Sequence, residues 1–109
     1  MATFLRTHVQ PNIGLTPIAV LSPAPTSSFT IVGCNLSNTT DYEVIVDITI
    51  TDTAGHTGNY INKLIINPYT SSKVITNGEK LIIAGASIMT IVSDTVDSID
   101  ATISYAEIV

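Results

Sequence analysis

The chain has 109 residues, one domain's worth, and only 12% of them carry charge, against about 25% in an average soluble domain. A formal net charge of −5 with four Lys and Arg makes nucleic acid a poor partner, and 45% hydrophobic residues exclude a disordered chain. Thr, Ser and Asn replace the missing charge, and 42 of the 109 residues are Ile, Val or Thr. Such a β-branched excess suits a pleated sheet and penalises helix.

In chain order, residues 1–10 read as an N-terminal arm or an edge strand, broken by Pro11, Asn12 and Gly14. Residues 11–109 then form the main domain. Residues 15–21 make a short strand, confined to a sheet edge because Pro17 cannot donate a ladder hydrogen bond. After the stiff link 22–27, residues 28–36 form a strand whose apolar parity changes near Gly33, as at a bulge. Residues 42–51 are the clearest strand, with Tyr42, Val44, Val46, Ile48 and Ile50 on one parity. A Gly-containing loop over 52–58 leads to a return strand over 60–66. Asn77-Gly78 marks a two-residue hairpin between strands at 71–76 and 79–83. Strands over 88–93 and 98–108 follow, with a turn at 94–97. About eight short strands and no helix predict an all-β fold, a single antiparallel β-sandwich of immunoglobulin-like or jelly-roll type.

The chemical inventory is thin. No catalytic motif surrounds His8 or His56, and no nucleophile, base and oxyanion donor occur together. Cys34 is the only cysteine, which excludes an intrachain disulfide and reads as a small buried hydrophobe. Asp94, Asp97 and Asp100 recur every third residue, but without a calcium loop they read as solvated carboxylates, with Asp94 and Asp97 forming a turn. No metal or other cofactor is expected. Asn35-Leu36-Ser37 and Asn38-Thr39-Thr40 match the glycosylation pattern by composition alone. No apolar run approaches the roughly 20 residues of a membrane helix, and the first ten residues carry no secretory h-region.

The outward-facing parities are informative. Ile45, Ile61, Ile65 and Ile82 lie opposite the main core residues, where a sandwich should be wet. With Phe4 and Leu5 of the N-terminal segment they are the candidate interface, packed against other subunits or turned inward by bulges.

Several stretches carry a wider resemblance. They are Ala2-Thr3-Phe4-Leu5-Arg6, Gly14-Leu15-Thr16-Pro17, residues 34–40, 44–52 and 61–68, the stretch 79–87, and Ile103-Ser104-Tyr105-Ala106-Glu107-Ile108. In this cadence of apolar strands and small polar turns the chain resembles the small β-sandwich virion structural proteins of tailed bacteriophages, cyanophages in particular. The resemblance implies a non-enzymatic particle component located in the virion after synthesis in the host cytoplasm. Its partners would be the major capsid protein or other virion proteins, in multiple copies or as a homo-oligomer, without nucleic acid or membrane. A capsid decoration or cement role comes first; a neck, tail or fibre accessory is the alternative. A carbohydrate-binding module for host-surface sugars is the competing class.

Overall fold

The β-branched residues segregate by parity, and that segregation builds two sheets. A computed structural model describes residues 2–75 and 80–109. Nine strands occur among them: β1 (Thr3–Ile13), β2 (Ile18–Leu21), β3 (Ser28–Asn38), β4 (Val44–Thr51), β5 (Thr57–Ile66), β6 (Ser71–Ile75), β7 (Leu81–Ile83), β8 (Ile88–Ser93) and β9 (Ile99–Ile108). One sheet has the order β1-β9-β3-β6, with β7 also on β3, and the other has the order β2-β8-β4-β5. All pairs are antiparallel.

β6 and β7 occupy successive halves of one β3 edge. Ser71 to Ile75 pair with Ser37 to Cys34, and Leu81 to Ile83 pair with Ile31 to Phe29. They therefore act as one interrupted strand, running in the same direction. Asn77-Gly78 itself lies outside the described residues, but the strands flanking it do not form the expected hairpin: both pair with β3, in the same direction, and not with each other. Counting them as one strand gives a nested pattern: first with last, second with second-last, and so inward to the β4–β5 hairpin. Rolled up, with β9 against β3 and β8 against β4, this is the jelly-roll topology, the second of the two sandwich types expected.

The core lies between the sheets. Ile31, Leu36, Ile99 and Ile103 from the first meet Val44, Val46, Ile48 and Ile91 from the second, all fully buried. Every one projects from the inward parity of its strand, as period-two patterning requires. Bulges correct the parity where the sequence drifts. β3 shifts register between Ile31 and Gly33, as the sequence predicts. β5 has two shifts against β4, and Lys63 at φ 54° marks one of them.

The N-terminal segment differs from expectation in length. β1 continues through Pro11 and Asn12, with a register shift between Gln10 and Ile13. As an edge strand it tolerates proline, and Asn12 takes a left-handed conformation at φ 57° that suits its short polar side chain. Tyr42 also departs from its predicted place: it precedes β4, in an exposed turn.

Candidate interaction surfaces

The outer face of the first sheet can be read row by row from the register. Leu5 pairs with Ala106, Ala106 with Thr30, and Thr30 with Ile82. These four side chains therefore cross the sheet in one line, ending in Leu5 at 88% exposure and Ile82 at 66%. Ile108 stands in the next row, exposed Val9 lies two rows away, and exposed Val32 sits at the β3 register shift. The other paired residues on this face are almost all Thr, Ser or Asn. Asp100 and Lys73 are its only charges among the paired, described residues. Water gains little from such a face, and a second flat surface loses little by covering it.

The remaining candidate residues fall in three environments. Ile45 pairs with Ile65 on the outer face of the second sheet, where Ile65 is exposed and Ile45 half-buried. Ile61 is turned inward: the β5 register shifts set it opposite Ile48, and it packs against the core. Its outward parity in sequence is thus corrected by a bulge. Phe4 lies on the opposite side of β1 from Leu5, in the row of Glu107, Phe29 and Ile83. There the Arg6 guanidinium sits 5.2 Å above its ring and Arg6 Nε donates to Glu107 Oε1 at 2.8 Å. The structure thus brings Leu5 and Ile82 together, brings Ile45 and Ile65 together on the other sheet, and separates Phe4 and Ile61 from both.

The four connections at one end of the sandwich, residues 14–17, 39–43, 67–70 and 94–98, were not singled out by the sequence. Backbone hydrogen bonds stitch them together: Ser93 N to Gly14 O, Thr39 N to Ser98 O, Asp94 N to Ile45 O and Tyr69 N to Thr40 O. Asn38, 3% exposed, is the central fastener. Its Nδ2 donates to the carbonyls of Tyr42 (2.7 Å), Ile66 (3.0 Å) and Asn67 (3.2 Å), while its Oδ1 accepts from Thr40 N (2.9 Å) and Thr40 Oγ1 (2.7 Å). Ser93 and Ser98 share a hydroxyl–hydroxyl bond of 2.8 Å, and Ser98 also donates to Thr95 O at 2.7 Å. The glycosylation match at Asn38 is therefore a buried structural amide.

The acidic residues of the 94–100 stretch also serve the loops. Asp94 Oδ1 accepts from Ile45 N, and Asp100 Oδ1 accepts from Asn12 N, both at 3.0 Å. Among the described residues no group of three or more His, Cys, Asp or Glu side chains could hold a metal ion. His56 lies 3.5 Å from Asp52 on an exposed turn, and His8 is half-buried on β1. Cys34 is buried, and desolvation pushes its thiol up to about 12. Among the described residues no helix is long and apolar enough to cross a membrane.

No protein-family model and no curated protein matches the chain. Among solved structures, it is similar to a chain in the crystal structure of the T13 IBDV viral particle, with a TM-score of 0.50 and 17% identity. The likeness is one of fold. It covers 96% of this chain but 30% of that one, so the whole sandwich corresponds to under a third of the particle protein.

Proposed function

We propose that this chain is a non-enzymatic structural subunit of a virus particle. The observation that carries the proposal is the correspondence of the entire jelly roll to part of a viral particle protein. The nearly charge-free outer face of the first sheet supports it: a subunit in a shell presents flat uncharged surface to its neighbours. In finer detail we assign it as a capsid decoration or cement protein of a tailed bacteriophage, bound to the major capsid protein through the Leu5–Ile82 row. The Ile45–Ile65 pair would be a second, smaller contact, and β1, with one edge open, would pair or pack at the subunit boundary.

A terminally tagged chain, produced during infection and imaged on purified particles, tests this. Regularly spaced label over the shell is expected. Label confined to the neck or tail would replace the cement assignment with an accessory role. Particles without label would refute the virion role. Substituting Leu5→Lys together with Ile82→Lys should abolish particle occupancy while leaving the isolated fold intact, since both side chains are exposed.

A further inference from the structure

We infer that the end of the sandwich formed by residues 14–17, 39–43, 67–70 and 94–98 is a preorganised docking surface for a basic protein segment that carries apolar side chains. This surface is separate from the sheet faces assigned above, and its test needs only the isolated chain.

Charge selects the occupant. Asp41, Glu43, Asp94, Asp97 and Asp100 all lie in these connections or at the adjoining strand ends, where no Lys or Arg occurs. Elsewhere the sequence has four acidic and four basic residues. The whole side-chain charge of −5 therefore belongs to one end. A surface of one sign steers and retains a partner of the other sign.

Apolar side chains supply the contact. Tyr42 and Tyr69 are 65% and 73% exposed on hydrogen-bonded neighbouring loops, and Leu15 and Val96 are exposed beside a cleft of about 340 Å³ that they line together with Asn12, Ile18 and Asp97. Exposed tyrosine on a fixed backbone gives large contact area for little lost entropy. The backbone here is fixed: the Asn38 amide and the Ser93–Ser98 hydroxyls hold the loops before any partner arrives. Tyr69 itself adopts φ 53°, a left-handed conformation that costs a tyrosine about 1 kcal/mol. That conformation belongs to the turn over 67–70, which Thr70 N closes on Asn67 O with Pro68 ahead of Tyr69, and the turn fixes the direction in which the ring projects.

The test is a nuclear magnetic resonance titration of the isotope-labelled chain with a short lysine–leucine peptide, compared with glutamate–leucine and lysine–serine peptides. Expected shifts cluster at Leu15, Tyr42, Tyr69 and Val96 and their loops. The lysine–leucine peptide should bind about tenfold or more tightly than either comparison peptide, and raising salt from about 50 to about 300 mM should weaken it several-fold. Tyr69→Asn with Val96→Ser should weaken binding about tenfold while the spectrum stays that of the folded chain. Equal binding of the glutamate–leucine peptide, shifts on the sheet faces, or no binding would each overturn the inference. So would loop shifts that follow protein concentration alone, which would mean a second copy, or shifts produced by an oligosaccharide panel and not by the peptide.

Discussion

Replacing Asn38 by Ala should be among the most damaging single polar substitutions in this chain. The side chain is 3% exposed and bonds four residues in three segments. Its bond to Ile66 O is the most enclosed, and an orphaned buried carbonyl costs about 1–3 kcal/mol. Tyr42 O, Asn67 O and Thr40 N are partly buried and regain some water, at about 0.5–1 kcal/mol each. The sum is about 2.5–6 kcal/mol, a large share of the roughly 5–15 kcal/mol of a small domain. The melting temperature should fall by about 12–25 °C. Urea unfolding followed by circular dichroism measures the difference, with Asn35→Ala as control. Asn35 lies on an outer face with one long bond to Ser37, so its loss should stay within about 0.5 kcal/mol. A cost below about 1 kcal/mol at Asn38 would refute the role of this amide as the fastener of the loop end.

Three further substitutions probe other parts of the fold. Burial raises the Cys34 thiol from 9.0 to about 12, so the folded state keeps a proton that the unfolded chain releases. That stabilisation is complete below pH 9 and declines as pH rises from 9 towards 12, by about 1.4 kcal/mol per pH unit. Cys34→Ala should lack this component of the alkaline decline in urea titrations, and the native thiol should resist thiol reagents until unfolding. Gly85→Ala should destabilise by about 1–3 kcal/mol, because a Cβ there would run into the Pro25 carbonyl oxygen and come within 2.8 Å of Ser27 O. Gly33→Ala, where nothing lies within 4 Å of the new Cβ, should change urea stability by less than about 0.5 kcal/mol.

The sheet class was legible because Val44, Val46 and Ile48 alternate without interruption, and a period of two has one structural reading. β2 does lie at a sheet edge, but it starts at Ile18, so Pro17 stands before the ladder and bounds the strand instead of forcing its place. The strand order was not legible: it depends on pairs such as Leu5 with Ala106, about a hundred residues apart, which local pattern does not encode. The candidate surface divided along the same line. Ile65 faces outward because no bulge intervenes between it and Ile45, whereas the β5 register shifts turn Ile61 into the core. The Leu5–Ile82 row was half visible, as two outward residues, but their alignment needed β9 and β3 between them. The loop end was visible only in fragments, as a turn at 94–97 with three spaced aspartates and a glycosylation match at Asn38, and nothing joined them. Its four tips are dispersed from Leu15 to Val96, and its central residue, Asn38, looked like one more asparagine in a chain with seven.

The scarcity of charge has a spatial explanation. The broad outer face of the first sheet has only Lys73 and Asp100 among its paired residues, and Asp100, at the border with the loop end, is also one of the five acids gathered there with no base. Neither distribution helps the isolated domain: a bare uncharged sheet with an open edge invites association, and five like charges at one end repel one another. The edge is guarded at two points. The Arg6–Glu107 ion pair lies near the free end of β1, and the Pro11–Asn12 bulge interrupts the other. On the outer side of β1, Thr3, Leu5, Thr7 and Val9 carry no charge. Selection for a solitary soluble domain would place lysines there at almost no cost in stability, because the side chains are exposed. Their absence, alongside a separate end that holds the whole net charge, fits a subunit whose sheet face meets uncharged protein and whose loops meet basic protein.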